Sequence, residues 1–208
     1  MNRKFLLFLM IGTAMMIAVI GKHEPEVKLD YVPWDVRVLE SDTSHVFGIT
    51  LGKTTIQEAN KLFASFAVTQ LMITKDEANQ QKLELLATYK ELIMDGVIAR
   101  LQLTYQLEPK TLNHIYEKVS GTAENKEPLA IYKLSPDIEM QYLNTPVSSI
   151  RYIPSIDYGE STIRQLFGQP SEELIVNENQ RLWLYPESGL QIKLNTNQAD
   201  EFIYTSMQ

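Results

Sequence analysis

Asp95-Gly96-Val97-Ile98-Ala99-Arg100-Leu101-Gln102-Leu103-Thr104-Tyr105-Gln106-Leu107 is the stretch that decides how this chain folds. Asp-Gly is a hairpin-turn signal, because a type I′ turn needs positive φ at both central positions. Behind it the residues alternate. Val97, Ala99, Leu101, Leu103, Tyr105 and Leu107 point one way, and Ile98, Arg100, Gln102, Thr104 and Gln106 the other. That period of two predicts an antiparallel strand buried on one face. Upstream of the turn, strands are expected at about 67–73 and 83–94. Before them, Ile56, Ala59, Phe63 and Phe66 fall at helical spacing and predict a core-facing stripe. Thr54 or Thr55 is the natural N-cap of that helix, with Gln57 or Glu58 closing a capping box.

Downstream, Pro109 opens a second helix whose Leu112, Ile115, Tyr116 and Val119 form an apolar stripe. Residues 120–128 read as a loop and 129–134 as a short strand. Ser135-Pro136-Asp137 opens another short helix, and 147–153 returns to a strand. A helix over 161–167 is stopped by Gly168 and Pro170, and strands follow near 172–177, 181–185, 189–194 and 201–206. Gly52-Lys53-Thr54-Thr55-Ile56-Gln57 recurs as Gly159-Glu160-Ser161-Thr162-Ile163-Arg164, each copy opening a helix that is followed by strands. The expected class is therefore α+β: an N-terminal membrane helix followed by two helix-plus-antiparallel-meander halves, with the helices on one face of the sheets. The boundaries are a leader at 1–21, a tether at 22–35, a first half at 36–108, a helical and loop connection at 109–146, and a second half at 147–208.

The leader sets the destination. Arg3 and Lys4 precede sixteen uncharged residues, Phe5 to Ile20, and basic residues ahead of an apolar run keep the N-terminus cytoplasmic while the rest is translocated. Sixteen helical residues reach roughly 24 Å, short of the ~30 Å hydrocarbon core. Two readings stay open: an uncleaved single-span anchor in the inner membrane with a periplasmic body, or a soluble periplasmic protein released by cleavage after Val19-Ile20-Gly21. The 208 residues contain no cysteine, which excludes disulfides, thiolate zinc sites, cysteine nucleophiles and a lipid-bearing cysteine. Of 19 lysines and arginines, three lie in 1–22, so the body carries 16 bases against 26 acids, a net charge of −10. Such a body is repelled by nucleic-acid phosphates and by anionic lipid, so no nucleic-acid partner is expected.

The tempting site motifs are refused on physical grounds. Gly48-Ile-Thr-Leu-Gly52-Lys53-Thr54 mimics a phosphate-binding loop but has one residue too few between its glycines. Its copy carries Glu160 where Lys53 stands, so the expected shared feature is helix capping rather than nucleotide binding. His23, His45 and His114 have no helical metal spacing among them. The acid pairs Asp76/Glu77, Glu172/Glu173 and Asp200/Glu201 are adjacent, so in a strand or loop their carboxylates diverge. No catalytic, cofactor or metal residue is assigned, and no enzyme activity is expected. Trp183 and Tyr185 share one face of a strand whose other face bears Leu182 and Leu184. They are the candidate partner-binding pair, because exposed aromatics bury much area at small entropic cost, unless the second face is covered by the other half. Trp34 and Phe47 are expected to pin the tether to the body.

Ile163-x-x-Leu166-x-Gly168-x-Pro170, Trp183-x-Tyr185-Pro186 and Gly189-Leu190-x-Ile192-x-Leu194 with Ile203 resemble the module of small outer-membrane assembly lipoproteins of the SmpA/OmlA type, within the wider β-lactamase-inhibitor-protein-like fold. The resemblance covers 157–206 and, more faintly, 48–107. Separately, Val46-Phe47-Gly48-x-x-Leu51-Gly52-x-Thr54-Thr55, with Trp34 upstream, resembles an uncharacterised gammaproteobacterial envelope family. These resemblances imply a Gram-negative periplasmic protein working through protein–protein contacts without catalysis. The chain departs from the lipoprotein pattern in lacking its cysteine and in having two halves. The expected function is thus a non-enzymatic role in scaffolding, assembly or inhibition of an unidentified envelope protein. The alternative is a periplasmic domain that binds a small ligand or lipid.

Overall fold

The computed structural model describes residues 31–39, 43–75, 80–120 and 130–206. The leader, tether residues 22–30, the loop after Ser120, His23 and the Asp76/Glu77 pair lie outside the described residues. Among the described residues no helix is long and apolar enough to cross a membrane.

The fold is mixed α+β and mostly antiparallel. A three-stranded sheet comprises β1 (Arg37–Leu39), β2 (Thr43–Val46) and β3 (Ile49–Thr50). After α1 (Ile56–Leu62) the chain runs β4 (Val68–Lys75), β5 (Gln81–Met94), β6 (Val97–Tyr105), α2 (Pro109–Ser120), β7 (Ala130–Lys133), α3 (Pro136–Tyr142) and β8 (Val147–Pro154). It continues through α4 (Glu160–Phe167), β9 (Glu172–Asn177), β10 (Gln180–Tyr185), a 3-10 turn at Pro186–Ser188, β11 (Leu190–Asn195) and β12 (Glu201–Thr205). β4 to β12 form one nine-stranded sheet in the order β7-β4-β5-β6-β8-β12-β11-β10-β9. β8 joins the two meanders, pairing antiparallel with β6 on one side and β12 on the other. The connection at 109–146 supplies β7 to the edge beside β4 and places Tyr132 against Tyr116 of α2.

The opening hairpin forms as its residues dictate: Asp95 and Gly96 have φ of 47° and 78°, and Val97 to Tyr105 alternate in and out. At Lys90 and Glu91 two residues oppose Arg100, a bulge that shifts the register. It keeps Leu92 and Met94 on the buried side with Tyr89, where strict alternation would have turned them out.

One core serves the whole sheet. Leu71, Leu85, Leu101, Leu103, Ile150, Tyr152, Trp183, Ile192, Phe202 and Tyr204 project to the same side and meet Ile56 and Ala59 of α1, Ile115 of α2 and Ile163 of α4. Ile138 of α3 packs against the same cluster. The β2–β3 hairpin drives Phe47 into its middle, with ring centroids 5.3 Å from Tyr152 and 5.6 Å from Tyr204.

Trp34 and Phe47 pin the chain ahead of the sheet as expected: Trp34 meets Tyr158 and Phe167 edge-on, and beside it Pro33 is buried, its carbonyl accepting the Tyr204 hydroxyl at 2.7 Å. Three expectations need correction. Phe66 is not in the core stripe but 90% exposed, because α1 ends at Leu62 and Ala64 turns to φ 47°, which breaks the 3.6-residue period before Phe66. The related hexapeptides do not share a cap. Thr55 and Glu58 form the capping box of α1, whereas α4 begins earlier, at Glu160, with Gly159 as its N-cap and no side-chain cap bond. What the copies keep is a left-handed glycine, Gly52 at φ 73° and Gly159 at φ 69°, and a fully buried isoleucine, Ile56 and Ile163. Finally, β1 to β3 were not expected: two to four residues are too few to show a period.

Candidate functional site

Trp183 and Tyr185 are core residues. Trp183 is 0% exposed, the Arg164 guanidinium of α4 lies 4.1 Å from its ring centroid, and Tyr185 donates to the Gly168 carbonyl at 3.2 Å. The face they share is the helix-covered one, so neither ring is open to a partner. The sheet face that remains is the opposite one, bearing Leu182 and Leu184 on β10.

Across that face, register gives rows of side chains with period two along each strand. One row runs Val68, Thr88, Gln102, Arg151, Ile203, Gln191, Leu184 and Glu172, from β4 to β9. The adjacent row includes Arg100, Ile153, Glu201, Lys193, Leu182 and Leu174. In the middle, Arg151 lies 3.5 Å from Glu201, and Ser149 donates to Thr104 at 2.8 Å. Exposed apolar side chains stand toward both edges of the sheet, Ile98 (51%) and Ile131 (64%) on β6 and β7 and Leu174 (39%) on β9.

One hollow lies at the strand ends beside this face and another indents it. One, of about 730 Å³, lies over the end of β10 and β11, with Leu184, Tyr185, Pro186, Leu190, Gln191 and Thr205 in its wall. The other, of about 530 Å³, lies over β4, β5, β6 and the end of β8, where Gln70, Thr88, Lys90, Arg100 and Gln102 converge. Thr88 is only 6% exposed, and its hydroxyl oxygen is buried with no hydrogen-bond partner among the described residues. Lys90 and Arg100 make no ion pair among the described residues, and Glu91 beside them is not within ion-pair distance of either. The other carboxylate on β5, Glu84, is held by Lys82 at 2.9 Å. This hollow is therefore a cation-rich spot on an acidic molecule.

A third hollow, of about 410 Å³ on the helix side, gathers Asp157, Glu160, Glu178, Arg181 and Asp200. Its polar groups are engaged with one another. Arg181 donates to Glu160, and Asp200 accepts the Asn195 amide at 2.9 Å. Burial raises the Asp200 carboxyl above the usual carboxylate range, partly offset by that amide.

The other candidates are accounted for locally. His45 shares a hydrogen bond with Thr50 at 2.8 Å, and His114 is exposed on α2. Glu173 pairs with Arg164 at 2.8 Å while Glu172 lies on the opposite sheet face. Lys53 and Thr54 stand in the turn before α1, where Thr54 accepts the Thr50 amide at 3.0 Å. Among the described residues no group of three or more histidines and acids is placed to hold a metal ion.

Sequence reasoning missed the cationic hollow. Alternation sets Arg100 and Gln102 on the strand face opposite the core, but nothing in the sequence joins them to Gln70, Thr88 and Ile131. Comparison of the chain with known protein families, with curated proteins and with solved structures finds no match.

Proposed function

We propose that this chain is a non-enzymatic protein of the Gram-negative envelope, held in the inner membrane by residues 5–20 with its body in the periplasm. Its work is to bind another envelope protein across the face of the nine-stranded sheet opposite the described helices, as a scaffold, assembly factor or inhibitor. The two helix-plus-meander halves act as one unit through their shared core. The observation that carries this reading is the make-up of that face. It sets exposed Ile98 and Ile131 beside Lys90 and Arg100, which form no ion pair among the described residues, the mixture of apolar area and directional charge that gives an interface affinity and register.

The test is capture from solubilised envelopes with the full chain as bait, alongside a variant carrying Ile98→Asp and Ile131→Asp. A stoichiometric protein retained by the native chain and lost with the variant supports the proposal; equal recovery by both overturns it. The ligand-binding alternative draws on the hollow of about 730 Å³ with Leu184, Pro186 and Leu190 in its wall. A co-purifying lipid or small molecule in native mass spectra, with no captured protein, would favour it. The mass of the native protein separates the anchored from the cleaved form, since cleavage after Gly21 removes the 21-residue leader.

A further inference from the structure

We infer that the hollow over β4, β5 and β6 is a carboxylate-binding site, which receives an acidic side chain or C-terminus of the protein partner. The inference rests on the partner-binding reading above and specifies its chemistry. An ionised carboxylate is acceptor-only, with two oxygens to satisfy. The hollow offers donors of the matching kind: the Arg100 guanidinium, the Lys90 ammonium and the amides of Gln70 and Gln102, with the buried Thr88 hydroxyl beneath them, reached once a wall side chain moves aside. Arg and Lys contribute charge-assisted bonds, and the planar guanidinium adds the option of a two-point contact.

The Thr88 hydroxyl is an independent pointer. A buried polar group without a partner costs stability, and a valine of nearly the same shape would avoid that cost. Thr88 nonetheless lines the same hollow as two cations that form no ion pair among the described residues, and the hollow has room for a guest. Such a group is explained if a ligand completes it, at the expense of the free protein's stability.

Charge selects the guest. Lys90 and Arg100 repel cations at short range. A phosphate-rich surface, whether membrane or nucleic acid, meets the field of a body with net charge −10. A single carboxylate on a protein is attracted locally without presenting an extended anionic surface. Exposed Ile98 and Ile131, both in the wall, suit an apolar residue next to the acidic one.

The experiment uses the full chain, with isoleucine and threonine methyl groups labelled for NMR. Three probes are titrated: the capped dipeptide acetyl-Leu-Glu-amide, its Gln counterpart, and inorganic phosphate. The expected result is saturable millimolar binding of the Glu probe that shifts the methyls of Thr88, Ile98 and Ile131, with the Gln probe about tenfold weaker. Lys90→Gln with Arg100→Gln, both exposed and so tolerated by the fold, abolishes the difference between the probes. Thr88→Val weakens the Glu probe while raising Tm, a split that a merely structural threonine would not show. Equal binding of both dipeptides, tighter binding of phosphate, or no shift at these methyls overturns the inference. Envelope capture separates the two proposals. Capture that survives K90Q/R100Q overturns the carboxylate site and leaves the partner reading standing. Probe binding without any captured protein keeps the site and removes the partner reading.

Discussion

Replacing Phe47 tests whether the two meanders share one core. Phe47 is the first central residue of the β2–β3 turn, with φ 54° followed by Gly48 at φ 75°, a conformation that costs an L-residue about 1–2 kcal/mol. It persists because the ring is 2% exposed and packs between Tyr152 of β8 and Tyr204 of β12. Phe47→Ala removes the ring but keeps the Cβ that makes positive φ costly, so the full cavity penalty of roughly 3–5 kcal/mol applies. Phe47→Gly loses the same ring yet relieves the backbone. After about 0.4–1 kcal/mol for the freer unfolded chain, it should be more stable than the alanine variant by roughly 0.5–1 kcal/mol, the reverse of the usual order. A loss near 4 kcal/mol lowers Tm by about 8–16 °C in a domain of this size. Urea and thermal unfolding of the purified chain, followed by near-ultraviolet circular dichroism, give both numbers. A single transition that shifts as a whole is expected. A loss under about 1 kcal/mol in Phe47→Ala would show that the ring is not central. Separate transitions for the two halves would refute the shared core, and an alanine variant clearly more stable than the glycine one would refute the left-handed turn.

Two further outcomes follow from packing and burial. At Gly189 an added Cβ would stand 2.1 Å from the Thr205 carbonyl oxygen, and the Thr205 amide is tied back to the Gly189 carbonyl at 2.8 Å. Gly189→Ala should therefore lower Tm far more than Gly96→Ala, which meets nothing within 4 Å and costs only its backbone strain of ~1–2 kcal/mol; equal losses would refute the close approach. Burial pushes the Tyr105 hydroxyl up to about 12, and raises Tyr89, Tyr152 and Tyr204 further by the same cause. In the unfolded chain these groups ionise near ~10. Their contribution to stability is therefore complete below that pH and is lost as pH rises through the folded values, because the unfolded chain releases protons that the folded one retains. In a phenolate-absorbance titration, part of the ten tyrosines should ionise only as tertiary structure is lost. Uniform ionisation of all ten with the near-ultraviolet spectrum intact would contradict this.

Local chemistry was readable from the chain alone. Asp95-Gly96, the alternation behind it, the helix starting at Pro109 and the four strands after Gly168 stand within a residue or two of where their periods place them. Each is decided by neighbours a few residues apart, through turn dihedrals, capping and side-chain period. Alternation on β10 likewise separates Trp183 and Tyr185 from Leu182 and Leu184, but a period of two is symmetric and does not say which face is covered. That depends on α4 crossing above Trp183 and on the β2–β3 hairpin filling the centre, contacts made across 19 residues or more. For the same reason the short strands β1 to β3 and the docking of Pro33 on Tyr204 left no mark in the sequence. The cationic hollow needed register most of all. Gln70, Thr88, Arg100 and Ile153 stand on four strands, and a one-residue slip in any of them would turn its side chain into the core. The strand periods thus belong to the sequence, while the open face and the hollow in it exist only once nine strands are aligned and one side is capped by helices.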